Sequence, residues 1–114
     1  MSALTTHVLD TASGRPAAGV PARLERQSAP GTWLEVGGGV TDADGRIARL
    51  LEGSLVAGAY RLTFDSGAYF RTQAAAGVCF YPHVTIEFEV RDPAQHHHVP
   101  LLLSPFGYTT YRGS

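Results

Sequence analysis

Histidine has an ordinary pKa of about 6.5, so both of its protonation states are within reach near neutrality. The five histidines of this 114-residue chain are therefore its first candidates for proton transfer. Three are consecutive, His96-His97-His98, and His7 lies near the other end among Thr5, Thr6 and Val8. On a strand, His96 and His98 project from one face about 7 Å apart at Cα, and His97 from the other. That pair could hold a metal if His7 supplied a third imidazole. No Cys-x-x-Cys, His-Glu-x-x-His or neighbouring carboxylate cluster supports this, so the expectation is no metal. Taken alone, His7 reads first as a structural imidazole at a sheet end.

All nine basic residues are arginine, the side chain suited to planar, bidentate recognition. Arg46 follows the turn residues Asp44-Gly45. It either starts the next strand in solvent or points into a groove, where its guanidinium would hold the carbonyl and nitrogen edge of a flat heterocycle. The chain ends Tyr111-Arg112-Gly113-Ser114, placing two large polar side chains where termini usually fray. If ordered, Arg112 and the Ser114 carboxylate could form part of a site, with Tyr111 as a wall or hydroxyl donor; otherwise the segment is a solvated tail.

Covalent chemistry finds little support. Cys79, between Val78 and Phe80, reads as a small buried apolar residue, with no basic neighbour evident to lower its pKa. There is no nucleophile elbow, Walker loop or dinucleotide fingerprint, so no nucleotide cofactor is expected. Gly37-Gly38-Gly39 reads as a bend or bulge between strands.

The scaffold must bring these scattered residues together. With 44% apolar and 17% charged residues, residues 1–114 fall within the range of one domain. Such a chain buries roughly two-thirds of its unfolded surface and needs no disulfide. The net charge of -1 provides no field for nucleic acid or an acidic membrane. No basic leader and no run of about 20 apolar residues is visible, so the expectation is a soluble, cytoplasmic protein.

Glycines and prolines divide the chain into short alternating segments, the pattern of an all-β fold. Val84–Arg91 is the clearest strand, alternating Val84, Ile86, Phe88 and Val90 with polar partners. Val20–Arg26 and Tyr60–Asp65 alternate similarly. Thr5–Leu9, Thr32–Val36 and Ala48–Leu51 are shorter candidates between turn-forming SGRPAAG, SAPG and DADG. Ser66–Ala76 reads as one short helix that Gly77 could stop. In the last segment, strand parity sends His97, Val99, Leu101 and Leu103 to one face, and His96, His98, Pro100, Leu102 and Ser104 to the other. The second face mixes apolar bulk with imidazole, which suits a surface covered by another subunit. Pro100 lacks a ladder donor, which predicts an edge strand or a distortion.

These segments together resemble the 5-hydroxyisourate hydrolases of the transthyretin-like family. The resemblance runs from LTTHVLDTASGRPAAGVPARLER through TDADGRIARLL, GAYRLTFDSGAYF and FYPHVTIEFEVRD to HHHVPLLLSPFGYTTYRGS. The terminal YRGS is the most discriminating element, since hormone-carrying transthyretins end differently. The family's first-strand histidine falls on His7, the arginine of its DGR turn on Arg46, its histidine before V-P-L-L on His98, and its terminal tetrapeptide on Tyr111, Arg112, Gly113 and Ser114. His97 departs from the family's frequent Tyr, and His83 from its frequent acidic residue.

The resemblance implies a transthyretin-like two-sheet β-sandwich of about eight strands with one short helix. It implies a homotetramer, a dimer of dimers, with active sites in the channel between paired dimers. Its substrate would be 5-hydroxyisourate, hydrolysed without a cofactor by His7, Arg46 and His98, with Tyr111 to Ser114 shaping the pocket. The competing expectation is a non-catalytic carrier of a small aromatic ligand in the same channel.

Overall fold

The computed structural model describes residues 3–73 and 79–114. Two four-stranded sheets pack face to face. One has the order β2-β1-β7-β8, from Arg15–Pro16, Leu4–Asp10, His97–Ser104 and Gly107–Thr110. The other has the order β4-β3-β5-β6, from Thr32–Val40, Pro21–Ala29, Gly58–Phe64 and Val84–Val90. The short helix α1, Ser66–Arg71, follows β5.

Period-2 patterning decides which face each strand buries. In β1, Leu4, Thr6, Val8 and Asp10 are buried while Thr5, His7 and Leu9 are only half-buried. In β5 and β6, Tyr60, Leu62, Phe64, Val84, Ile86 and Val90 face the core. Full burial of Leu24, Leu62, Phe64 and Leu101 contributes about 1.5–3 kcal/mol each. Tyr60 stacks on Phe88 with ring centroids 5.8 Å apart, and its hydroxyl donates to the Val56 carbonyl at 3.1 Å. On the far face of the second sheet, Arg61 Nε donates to Glu25 Oε1 at 2.7 Å, and its guanidinium lies 4.4 Å from the Trp33 ring centroid. That hydrogen bond is the main reason the Glu25 carboxyl titrates below the usual carboxylate range.

Helix α1 is capped by Asp65, whose Oδ1 accepts from Ala68 N at 2.9 Å. It is shorter than expected over its described part. After Arg71 the chain tightens, with Thr72 N donating to the Tyr69 carbonyl and Gln73 N to that of Phe70. The rest of that expectation, Ala74–Ala76 and the Gly77 stop, lies outside the described residues. The buried Tyr69 hydroxyl donates to Asp10 Oδ2 at 2.6 Å, tying α1 to the end of β1. Burial first, and this hydrogen bond second, push the Tyr69 hydroxyl far above its ordinary pKa.

Four local expectations are corrected. Ala48–Leu51 is a turn rather than a strand, entered by an isolated bridge at Arg46 and left by another at Leu51. The three glycines lie inside β4, not between strands, and the register slips beside them between Leu24 and Glu25. A Cβ on Gly37 would overlap the Leu50 carbonyl, which accepts from Gly38 N at 2.8 Å. Cys79 is half-buried at the core margin rather than buried, with its Sγ 3.0 Å from the Tyr81 carbonyl.

Pro100 is the fourth, because β7 is an interior strand. His97 N donates to the Ala3 carbonyl and Thr11 N to that of Leu103, so odd residues of β7 bond toward β1 and even ones toward β8. The β8 ladder begins at Leu101–Thr110. The N–H that proline lacks therefore has no strand partner to lose.

Candidate active site

The parallel pairing of β1 with β7 joins the two ends of the sequence. Thr5 lies opposite His98 and His7 opposite Pro100, and both His7 and His98 project from the sheet's outer face. On the other edge of β1, the 41–46 turn is anchored inward by Thr41, whose buried hydroxyl donates to the Ala17 carbonyl at 2.6 Å and accepts from Val20 N at 2.8 Å. Asp42 Oδ1 closes the turn by accepting from Asp44 N at 2.9 Å and Arg46 N at 3.1 Å.

Gly45 has φ +79°, and a Cβ there would strike the Val8 carbonyl and approach His7 Cδ2. Glycine alone lets the turn lie this close to β1, where Val8 N donates to the Gly45 carbonyl at 2.8 Å. The consequence is an antiparallel bridge between His7 and Arg46, which sends both side chains to the same face. Arg46 is thus exposed, and its side chain shares the sheet face that bears His7.

Across β7 the terminal segment does the same for His98. Gly113 N donates to the His98 carbonyl at 2.9 Å, and the pair forms a second isolated bridge. A Cβ on Gly113 would lie 2.5 Å from His98 Cδ2, so the ring uses the space glycine leaves. Arg112 is held beside it, with Nη2 donating to Gln95 Oε1 at 3.4 Å and to the His96 carbonyl at 3.3 Å. Tyr111 and Ser114 are exposed.

His98 titrates below the ordinary imidazole range. Burial is the main cause, and the positive charge of Arg46, then His96, then His7 adds to it. These surroundings disfavour the protonated ring, and a neutral ring can accept a proton. Its Nδ1 is 2.8 Å from the Thr5 hydroxyl, which leaves Nε2 for chemistry. The same hydroxyl is 3.0 Å from His96 Nε2. Thr5 was not singled out from sequence, and His96 only as a possible metal ligand beside His98; strand parity places Thr5 beside His7, but the register that sets it against His98 is a long-range fact.

A cavity of about 220 Å³ opens between β6 and β7, lined by residues including Ile86, Phe88, Val99, His98 and Tyr111. It is mainly apolar and shares only His98, Tyr111 and Arg112 with the candidate set, so it is not the space over His7 and Arg46. His96 and His98 stack at 6.4 Å between centroids. Among the described residues, no group of three or more His, Cys, Asp or Glu side chains is gathered to hold a metal ion, and no helix is long and apolar enough to cross a membrane.

Two four-stranded sheets bearing imidazoles and a turn guanidinium on one outer face define a transthyretin-type sandwich with a polar site. Residues 4–113 match the sequence profile of the HIUase/Transthyretin family, and the chain belongs to that family. It is 51% identical to a 5-hydroxyisourate hydrolase of Caulobacter vibrioides, across the full length of both chains. The solved 5-hydroxyisourate hydrolase of Klebsiella pneumoniae superposes with a TM-score of 0.82 at 39% identity, covering 97% of this chain and 98% of that one. Sea bream transthyretin in complex with thyroxine superposes with a TM-score of 0.90 at 34% identity, covering 98% and 95%. The backbone therefore fits a hydrolase and a thyroxine-bound transthyretin alike, and the site residues must separate them.

Proposed function

We propose that this protein hydrolyses 5-hydroxyisourate, cleaving the lactam N1–C6 bond to give 5-hydroxy-2-oxo-4-ureido-2,5-dihydro-1H-imidazole-5-carboxylate, a step of urate degradation. The observation that carries this reading is the gathering of His7, Arg46 and His98 on one sheet face, with the YRGS end bonded against His98. The names of its relatives support the same activity.

Cyclic amide hydrolysis needs an activated water, a polarised carbonyl and a protonated leaving nitrogen. His98, held neutral, takes the proton from the attacking water and returns it to the leaving nitrogen; His7 positions the water. Arg46 orients the flat ring and stabilises the oxyanion as it forms. No metal enters this scheme. Tyr111, Arg112, Gly113 and Ser114 shape the pocket, Gly113 by leaving room for the His98 ring.

In one chain this face is partly covered, with His7 and His98 half-buried and Arg46 exposed. A homotetramer, assembled as a dimer of dimers, would set two such faces against each other and exclude water from the site. The carrier reading rests on the similarity to a thyroxine-binding transthyretin, but an apolar channel has no use for two imidazoles and a guanidinium. The test is the ultraviolet decay of 5-hydroxyisourate freshly made by urate oxidase. Accelerated decay that persists after chelator treatment supports a metal-free hydrolase; unchanged decay on adding the protein removes the assignment.

A further inference from the structure

We infer that Thr5 and His96 form a proton relay with His98, moving positive charge from the interior of the site to the exposed imidazole of His96 and back during each turnover. The inference rests on the hydrolase reading and deepens it. Its basis is geometric: one hydroxyl oxygen lies 2.8 Å from His98 Nδ1 and 3.0 Å from His96 Nε2.

A hydroxyl carries a single proton, so Thr5 donates to one imidazole nitrogen and accepts an N–H from the other. Two arrangements satisfy both bonds. In the first, His98 Nδ1–H donates to Thr5 and Thr5 donates to His96 Nε2, so His98 Nε2 has a free lone pair and is a base. In the second, His96 Nε2–H donates to Thr5 and Thr5 donates to His98 Nδ1, so His98 Nε2 carries a proton and is an acid. The tautomers of the two histidines are locked together.

The reaction uses both arrangements in turn. Attack breaks a water O–H bond; its oxygen bonds the lactam carbon and its proton bonds His98 Nε2, leaving that ring with two N–H bonds. The Nδ1–H bond then breaks as its proton joins Thr5 Oγ1, while the hydroxyl proton joins His96 Nε2. The charge now sits on His96. Expulsion of the leaving nitrogen reverses this: His98 Nε2 gives up its proton to nitrogen, Nδ1 regains one from Thr5, and Thr5 regains one from His96. The starting arrangement returns with no proton unaccounted for.

The electrostatic reason for the detour is local. His98 is half-buried and faces the positive Arg46 of the turn, His7 of β1 and His96 just before β7, and Arg112 of the terminal segment lines the same cavity. An imidazolium there is poorly solvated and repelled by Arg46. His96 is exposed, so the same charge on its ring is solvated by water.

The experiment compares Thr5→Val, Thr5→Ser and His96→Ala by turnover and by the nitrogen-15 chemical shifts of the His98 ring, which report its tautomer without substrate. A relay predicts that Thr5→Val lowers kcat about ten- to a hundredfold, with KM changed less than about twofold, and shifts the His98 tautomer balance. Thr5→Ser should restore both, and added imidazole should restore part of the rate lost in His96→Ala. Unchanged kcat and unchanged His98 shifts in Thr5→Val, or a His96→Ala loss that imidazole leaves untouched, would overturn the relay. A wild-type protein that leaves 5-hydroxyisourate decay unaltered sinks the hydrolase reading instead, while the nitrogen shifts still decide the tautomer coupling.

Discussion

Gly113 N donates to the carbonyl of His98 at 2.9 Å, and a single methyl on Gly113 would stand 2.5 Å from the His98 ring. The terminal segment thus packs against the His98 ring as well as bonding its backbone. Gly113→Ala should push the imidazole aside without disturbing the core. Displacing a catalytic group by about 1 Å can cost on the order of a hundredfold, so kcat/KM should fall by about that factor while the melting temperature changes little. Steady-state kinetics with a parallel thermal melt would check this, and a fully active Gly113→Ala would show that the ring does not need that space.

Tyr69 and Asp10 hold α1 to the end of β1 through a buried hydrogen bond of 2.6 Å. Asp10 Oδ1 already accepts from Ala12 N and Ser13 N, so Tyr69→Phe strips the partner from Oδ2 alone. Losing a hydrogen bond to a buried charged group costs about 1.5–3 kcal/mol. Chemical denaturation should show a loss in that range with turnover largely kept; a loss below about 0.5 kcal/mol would place the strength of this junction elsewhere.

The lowered pKa of His98 fixes the sign of a pH effect. Folding lowers the pKa of the ring, which in the unfolded chain titrates at about 6.5. As pH falls through that value toward the lower folded one, the unfolded state binds more protons and stability declines; above it the contribution of His98 is nil. Arg46→Ala removes one positive neighbour and should raise the His98 pKa, though burial, the larger cause, keeps it below the ordinary value. A nuclear magnetic resonance titration reads this directly, and a downward shift in the variant would contradict the assigned cause.

Much of the architecture was legible because alternation is a local signal. Val84–Val90 and Gly58–Phe64 emerge almost as the pattern draws them, and the parity of His97–Ser104 divides core from outer face except at Pro100, which is buried. Pro100 misled because the rule against proline in a central strand assumes a neighbour on both sides, and β8 stops one residue short of it. Ala48–Leu51 misled because Leu50 is buried by a turn rather than by a strand. His7, Arg46 and His98 were found as residue types and through resemblance, but their proximity depends on a parallel pairing of the chain's two ends and on a glycine that admits the turn. No local pattern encodes the Thr5–His98 register, so the hydroxyl between two imidazoles appears only in three dimensions.

Joint action of His7, Arg46 and His98 on 5-hydroxyisourate is the core of the proposed function. Its most direct test is the decay of that compound with equal amounts of the unaltered protein, Arg46→Ala and His98→Ala, after size-exclusion chromatography has shown the same assembly for all three. Rapid decay with the unaltered protein, slowed at least about tenfold in each variant, is the predicted result. A rate unaffected by either substitution would contradict the role given to that residue, and with it the site.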